Sequence, residues 1–443
     1  LKGVGNYFRK HAHKNAVLGD LLVELEATSG RDLKTWSKLW LETAGVNTLR
    51  PEFEVDADGN FSKFAVLQSA IAEQPTIRPH RLGVGLYDLI DGKLTRVEHI
   101  RVDIDGTRTE LAELIGKKRP ALLLLNDEDQ TYAKVRLDDE SLAVALDHLS
   151  DIEDPLTRAI ILGAVWDATR DAETSPRNYI KLVLGNIAHE TESTTMTTLL
   201  RQLITVGRFY VKQTDREVVL AEIADALKDL AEQAKAGSDA QLQFVKFFTQ
   251  FARSSSQLDW AAALLNGSVA LTGLTIDADL KWELLTALVI GGRSGEVEIA
   301  ALEAQDNTAN GQKAAVAARA AIPTAEAKDA MFKVLTETKE YSNALVSSAS
   351  LGFTRVIDVE LLRAFAQRYF DNALNVWNSQ TFKIAEYLLV NLYPLPLADE
   401  NLAALSREWV AKAEIKAIPA LHRILVENLA NLERALKVQA RDN

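Results

Sequence analysis

The 443-residue sequence contains no cysteine. Disulfides, thiolate metal sites and cysteine nucleophiles are therefore excluded, and a cysteine-free composition fits a cytoplasmic protein. Basic residues are fewer than acidic ones, 50 against 62, and the formal net charge is −12. This balance argues against a nucleic-acid-binding protein, because phosphate contacts need clustered Lys and Arg.

Long hydrophobic runs are absent as well. No apolar stretch approaches the ~20 residues that span a bilayer, and no N-terminal stretch has the order of a signal peptide, so we expect no membrane association. The hydrophobic fraction of 47% and the charged fraction of 25% are typical of a globular protein. A chain of this length is too long for one compact core, so two or three domains are predicted.

The sequence signatures of common active sites are also missing. The only His-Glu dipeptide is His189-Glu190, and Ser193 occupies the position where a zinc-binding helix would need a second histidine. This pair is therefore interpreted as a surface helix end. Gly83-Val84-Gly85 falls within a predicted strand, and Gly291-Gly292 follows a predicted helix as its C-cap, so neither is a phosphate-binding loop. There is no Walker-type loop and no G-x-S-x-G elbow.

The other candidate ligands do not form a recognisable pattern. His11 and His13 are two residues apart and would point in different directions on a helix, so both are interpreted as surface residues. Asp127-Glu128-Asp129 is interpreted as a solvated turn, and the seven tryptophans as packing residues. The remaining histidines are scattered: His80, His99, His148 and His422. We therefore predict no catalytic, metal-binding or cofactor-binding residue in this chain.

Three short amphipathic helices are predicted in residues 1–46. The first contains Tyr7 and Phe8, the second is Asn15 to Leu25 with Gly30 as its stop, and the third begins after Asp32 and ends at Gly45. These helices have a large apolar surface and no core of their own. We expect them to pack against another part of the protein.

Residues 47–138 have the pattern of a small β-sandwich. Asp91-Gly92 separates two alternating segments and is a strong hairpin signal. About seven short strands are expected, and the following segments are the ones predicted: Phe61 to Ile71, Arg81 to Leu89, Leu94 to Ile104, Leu111 to Ile115, Ala121 to Leu125 and Tyr132 to Leu137.

Residues 139–443 are predicted to form roughly sixteen helices. Asp138 can open the first of them, and Pro155 and Pro176 stand where proline suits a helix start. The segments are short and successive, which favours stacked helix pairs in a superhelix over a single bundle. Because no fixed repeat period is present, irregular HEAT-like stacking is predicted. The fold class is thus mainly α, preceded by a β-sandwich and a short helical segment.

Four stretches of the chain form a recognisable set of structural residues: Tyr7-Phe8 with Trp36 and Trp40-Leu41, Pro79 to Asp88, Leu271 to Gly292, and Leu432 to Asn443. In these stretches the chain resembles the zinc aminopeptidase N family, and it is most similar to the actinobacterial branch. It implies that residues 1–46 are the last helices of a catalytic domain, followed by the β-sandwich and the helical superhelix. The family's catalytic motifs, G-A-M-E-N and H-E-x-x-H, do not occur in this sequence.

The resemblance implies a C-terminal, non-catalytic region of an enzyme that removes N-terminal residues from peptides. Zinc would be held by an upstream catalytic domain, on which this region would pack, and the helical part would cap the substrate chamber. Whether the chain counts as an enzyme is left open, since it is predicted to be inactive by itself. Arginines on the helical wall could meet the carboxylate of a peptide, and the sequence does not select among the candidates: Arg158, Arg201, Arg208, Arg355 and Arg368.

Two other interpretations remain open. The chain could be a stand-alone helical-repeat module that binds peptides or proteins on a concave surface. It could also be an enzyme whose site is assembled from scattered residues, although no spacing supports this. Substrate preference and oligomeric state are not predicted.

Overall fold

The computed structural model describes residues 1–442. The chain divides into two compact units, Leu1–Asp167 and Ala168–Asn443. The division into parts 1–46, 47–138 and 139–443 stays a prediction. Across the described residues the fold is mainly α, as predicted, with a small β region near the N-terminus.

The first unit begins with three helices, α1 (Lys2–Lys10), α2 (Leu18–Ser29) and α3 (Lys34–Leu41). The predicted stop at Gly30 is confirmed, because this residue has a φ of 69° and forms the left-handed C-cap of α2. The second helix starts three residues later than the pattern indicated and runs four residues further. None of the residues of α2 is buried.

Seven strands follow and form two sheets, with the orders β5-β2-β1-β7 and β4-β3-β6. Their inner faces share one core that includes Phe61, Phe64 and Val84. The hairpin at Asp91-Gly92 is confirmed, because both residues have positive φ, 50° and 78°. The strands are β1 (Thr48–Val55), β2 (Phe61–Ser69), β3 (His80–Ile90), β4 (Lys93–Ile104), β5 (Arg108–Glu110), β6 (Leu122–Asp127) and β7 (Lys134–Val135).

One strand prediction was wrong, and two strands were not predicted. Leu111 to Ile115 is not a strand, since Ala112–Leu114 forms one turn of 3-10 helix that buries Leu111 and Leu114 three residues apart. The strands Thr48–Val55 and Arg108–Glu110 were not predicted, and the second has only three residues. Thr48–Val55 carries Pro51 and alternating glutamates, which weaken the strand signal, yet it pairs with β2 on one side and β7 on the other.

The predicted solvated turn at Asp127-Glu128-Asp129 needs a correction. Asp129 is exposed, but Asp127 is fully buried at the end of β6. Its carboxylate accepts hydrogen bonds from Tyr87 Oη at 2.8 Å and from Arg96 Nη1 at 2.9 Å. A buried carboxylate is stable only with such partners, and both come from other strands that the local sequence does not reveal.

Seventeen α-helices follow the strands within residues 1–442. The helix starts at Asp139, after the cap at Asp138, and at Pro155 and Pro176 are confirmed. The helices are α4 (Asp139–His148), α5 (Pro155–Arg170), α6 (Pro176–Asn186), α7 (Ser193–Thr205), α8 (Arg216–Gln233), α9 (Asp239–Phe251), α10 (Ser255–Asn266), α11 (Ala278–Ile290), α12 (Glu296–Gln305), α13 (Ala309–Ala321), α14 (Ala325–Glu337), α15 (Asn343–Phe353), α16 (Arg363–Ser379), α17 (Phe382–Asn391), α18 (Glu400–Ala411), α19 (Ala413–Lys416) and α20 (Pro419–Gln439).

The helices of the second unit stack in alternation. The odd-numbered helices from α7 to α17 pack on one another in order, each on the next odd one, and α8, α10, α12, α14 and α16 pack against them from the side. This is the arrangement of stacked helix pairs that the sequence predicts. Among residues 1–442, no helix combines the length and the apolar character that a membrane crossing requires.

The end of the chain returns to the beginning of the second unit. Helix α20 contacts α17 and the turn that follows α7. Asp442 is buried, and its carboxylate accepts from Arg177 Nε at 2.6 Å and from the Lys212 backbone N–H at 2.8 Å. The stack of helices is thereby closed by contacts between residues more than 200 positions apart.

Candidate functional site: a cationic cavity

The second unit contains a cavity of about 210 Å³ at the ends of several stacked helices. Four arginines and a single carboxylate, that of Glu217, supply the charged part of its lining. Leu351 and Val390 also line it and are 56% and 47% exposed, so they mark its open edge. The four arginines are Arg208, Arg216, Arg253 and Arg355.

Each arginine stands at an interruption between helices. Arg208 lies in a π-helical turn, Val206–Tyr210, that ends the α7 segment, and such turns are frequent at functional sites. Gly207 lets this turn approach α8, because a Cβ there would lie 2.7 Å from Leu220 Cδ2. Arg216 is the first residue of α8. The other two arginines each follow the last residue of a helix by two positions, after α9 and after α15.

Three of the arginines also hold the local backbone. Arg216 donates from Nη1 to the Pro396 carbonyl oxygen at 2.9 Å and from Nη2 to that of Val211 at 3.2 Å. Arg253 donates from Nε to the Phe251 carbonyl oxygen at 3.0 Å and from Nη1 to Glu217 Oε1 at 2.7 Å. Arg208 donates from Nη2 to the Gln250 carbonyl oxygen at 2.7 Å. The guanidinium groups are therefore fixed by carbonyl oxygens of neighbouring segments and, for Arg253, by a carboxylate as well.

Arg355 differs from the other three. Its Nε and Nη2 atoms are buried and have no hydrogen-bond acceptor among the described residues. These two nitrogens form one edge of the guanidinium, the kind of edge that can hold a carboxylate through two parallel hydrogen bonds. Leaving charged donors buried and unpaired costs free energy. An anion bound in the cavity could supply the missing acceptors.

Burial disfavours the charged form of these arginines, and neighbouring guanidinium charges add to this effect for Arg208 and Arg216. Burial, followed by the charges of Arg355 and Arg253, lowers the pKa of Arg208 to about 9. Burial lowers the pKa of Arg216 to about 10, with a further contribution from Arg253 against the opposing effect of Glu217. The pKa of Arg355 is also lowered by burial, and the carboxylate of Glu283 opposes this. The lining of the cavity therefore carries fewer negative charges than positive ones.

A fifth buried cation stands next to the cavity. Lys328 is fully buried, and its Nζ donates to the carbonyl oxygens of Ala320 and Phe353, each at 2.7 Å. Burial and then the charge of Arg355 lower the pKa of Lys328 to about 7. Lys328 does not line the cavity, but it fixes the end of α15, from which Arg355 extends.

The structure brings together two of the five arginines that the sequence proposed, Arg208 and Arg355. Arg201 is exposed. Arg368 ion-pairs with Asp329 at 2.8 Å and does not line the cavity. Arg158 belongs to the first unit, where it donates to the Ile152 and Glu153 carbonyl oxygens.

Sequence reasoning missed Arg216 and Arg253. Arg216 could have been noticed in the sequence, because a cation in the first turn of a helix is unfavourable next to the positive end of the helix dipole. A residue in such a position often has a functional or structural role. Arg253 lies just before a capping box opened by Ser254, and nothing in its local sequence sets it apart. Both residues reach the cavity only because α8 and α9 pack together.

The candidate metal ligands do not come together. No group of three or more His, Cys, Asp or Glu residues in the described part of the chain could hold a metal ion. The surface interpretation of His189-Glu190 is correct for His189 but wrong for Glu190, which is buried. Gly291-Gly292 is the predicted C-cap, because Gly292 has a φ of 69° and the following Arg293 N–H bonds to the Leu288 carbonyl oxygen.

Comparisons with known proteins agree with the resemblance found in the sequence. Over its whole length, the chain is 44% identical to aminopeptidase N of Streptomyces lividans, in an alignment of 448 residues. It spans about half of that relative, 52% of its length. A family model described as the ERAP1-like C-terminal domain matches residues 122–434, which is more than half of the chain. The chain therefore belongs to the ERAP1-like C-terminal domain family.

Proposed function

We propose that this chain is the C-terminal, non-catalytic region of an aminopeptidase N-like zinc metallopeptidase, and that it caps the chamber in which peptides lose their N-terminal residues. The observation that carries this proposal is the 44% identity to an aminopeptidase N along the entire chain, over 52% of that relative. The cysteine-free composition fits a cytoplasmic enzyme.

Zinc belongs to a different part of such an enzyme. The described residues offer no group of three or more potential ligands, so they do not fit a zinc site. We derive no catalytic step from this chain. Its contribution would be to shape the chamber and to hold the end of the substrate away from the reacting bond.

The first three helices offer a surface for a catalytic domain. Phe8 is 66% exposed and Val17 is 71% exposed, and further large apolar side chains on this segment are exposed too: Leu18, Val23, Trp36 and Leu41. An apolar surface of this kind usually marks an interface. We propose that an upstream catalytic domain covers it.

The cationic cavity would receive the carboxylate end of the peptide. Arg208 and Arg355 present charged donors in a half-buried setting, where a charge-assisted hydrogen bond is stronger than in water. The cavity is smaller than the roughly 300–1,000 Å³ of sites for drug-sized ligands. It suits one terminal residue rather than a longer peptide segment.

Co-expression tests this function. The chain would be produced together with the part of the Streptomyces lividans relative that it does not cover. Hydrolysis of an aminoacyl anilide would be measured for each part alone and for the mixture. We expect no hydrolysis by this chain alone, a stable complex with the other part, and higher activity in the complex.

A matched pair of variants tests the docking surface. Phe8→Asp should weaken the complex by about tenfold or more, because it places a charge in a buried apolar contact. Val297→Asp, at an exposed position of α12, should leave complex formation unchanged. Metal-dependent hydrolysis by this chain alone, or failure of the two parts to associate, would contradict the proposal.

A further inference from the structure

The charges of the cavity do not balance with a single carboxylate. Four guanidinium groups line it, and Glu217 is the only carboxylate in the lining. Glu283 adds a second one nearby, since its charge acts on Arg355 and its Oε2 accepts from Gln250 Nε2 at 3.1 Å. Four guanidinium charges against two carboxylates leave an excess of two even where the neighbouring Lys328, whose pKa is about 7, is neutral. A ligand with one negative charge would leave a buried cation uncompensated.

The donors also fall into two groups. Arg355 has its Nε and Nη2 edge without an acceptor, which is enough for one carboxylate held side-on. Arg208 and Arg253 form a second group. Arg208 has one Nη atom engaged on the Gln250 carbonyl oxygen, and Arg253 has its Nε engaged on the Phe251 carbonyl oxygen and one Nη atom on Glu217. A guanidinium has five N–H donors, so donors remain on both residues for another acceptor.

The rest of the lining indicates the chemical character of the ligand between its two negatively charged groups. Leu220, Ala252, Ile290 and Ile357 contribute apolar surface, and Leu351 and Val390 stand at the open edge. An inorganic dianion would leave this surface without a partner. A short aliphatic skeleton that bears two carboxylates would contact both the arginines and the apolar wall.

We propose that this cavity binds two carboxylates at once, carried on one short aliphatic skeleton, as in a small dicarboxylic acid or in the C-terminal Asp or Glu of a peptide. The inference rests on the proposed carboxylate role of the cavity and gives it a ligand class. It predicts that the chain discriminates between acidic and neutral C-terminal residues.

Calorimetric titration of the 443-residue chain tests the inference without the catalytic part. The probes are succinate, glutarate, butyrate, inorganic phosphate, and the peptides Ala-Ala-Glu and Ala-Ala-Gln. We expect a dicarboxylate to bind about tenfold or more tightly than butyrate, and Ala-Ala-Glu to exceed Ala-Ala-Gln by a similar factor, because a second charge-assisted pair is formed. Binding of succinate or glutarate without Ala-Ala-Glu would assign the site to a free acid, and the reverse would assign it to a peptide.

Variants locate the site. Arg355→Gln and Arg208→Gln should each weaken dicarboxylate binding by about tenfold or more, whereas Arg368→Gln, outside the cavity, should not. Arg355→Lys keeps the charge and loses the two-donor edge, so it should also bind weakly while preserving the fold if the Gln variant fails to fold.

Three results would overturn the inference: equal affinity for butyrate and for the dicarboxylates, phosphate binding as tight as theirs, or affinity unaffected in the arginine variants. None of these results would change the expected outcome of the co-expression experiment. Failure of the second carboxylate can therefore be distinguished from failure of the aminopeptidase proposal.

Discussion

At the scale of single residues, buried charge is what distinguishes this chain. Lys328 and Asp127 are both fully buried, and each is held by partners from other elements. Neither would be placed inside by its residue type, since lysine and aspartate are almost never fully buried unless they are paired. Both positions are therefore sensitive to substitution, because removing one partner leaves a buried polar group unpaired.

Lys328 predicts how stability depends on pH. Its pKa is about 7 in the folded chain, against an ordinary value of 10.5. Between these values the unfolded chain binds one more proton at this site, so raising the pH stabilises the folded chain. Relative to Lys328→Met, the wild type should gain up to about 1.4 kcal/mol per pH unit between about pH 7.5 and 9.5.

Urea unfolding at several pH values measures this difference. Subtracting the Lys328→Met curve removes the contributions of the other titrating groups, and Lys333→Met, an exposed lysine of the same helix, serves as the control. A stability difference that does not change with pH would show that Lys328 keeps its ordinary pKa.

At the scale of elements, close approach between helices decides where small residues are needed. Helix α15 packs on α13 at Gly352. A Cβ at this position would lie 2.2 Å from the Ala317 carbonyl oxygen, which is backbone and cannot rotate away. Arg355 follows three residues later, so this contact also sets one wall of the cationic cavity.

Substituting two helical glycines separates packing from helix propensity. Gly352→Ala should destabilise the chain by about 1–3 kcal/mol, because the helices must move apart. Gly185→Ala should stabilise it by about 0.5–1 kcal/mol, since α6 leaves that position open and alanine favours helix. Thermal unfolding followed by circular dichroism measures both. A stabilising effect of Gly352→Ala would mean that α13 and α15 are further apart than described.

At the scale of the whole molecule, contacts of residues 439–442 close the second unit. Asp442 receives hydrogen bonds from Arg177 and from the Lys212 backbone. Arg441 donates to the Ala172 carbonyl oxygen at 3.0 Å, and Gln439 donates to that of Phe209 at 2.8 Å. Helix α20 ends at Gln439, and this contact with Phe209 thus secures the turn that carries Arg208.

Removing the carboxylate of Asp442 should loosen this closure. We expect Asp442→Ala to lower the free energy of unfolding by about 2–4 kcal/mol, because Arg177 loses a buried partner. Asp371→Ala, on an exposed face of α16, should change it by less than about 0.5 kcal/mol. Calorimetric unfolding gives both values. Equal stability of the two variants would show that the contacts of the last residues do not support the unit.

Much of the fold is readable in the local sequence. Some residues restrict the backbone at one point of the chain. The structure has the predicted turn at Asp91-Gly92, the predicted helix start at Pro176 and the predicted helix end at Gly30. The strand at Thr48–Val55 escaped detection because it is stabilised by its two neighbours rather than by its own composition. The family resemblance was also readable, since scattered structural residues are enough to identify it.

The sequence by itself thus determined the fold class, the family and the position of most strands and helices, because these follow from short-range periodicity, turn chemistry and residue identity. Only the tertiary structure decided that Arg208, Arg216, Arg253 and Arg355 share one cavity, that Lys328 and Asp127 are buried, and that Asp442 meets Arg177. These contacts join residues tens to hundreds of positions apart. Their existence depends on the packing of whole helices and strands, which no local pattern in the sequence encodes.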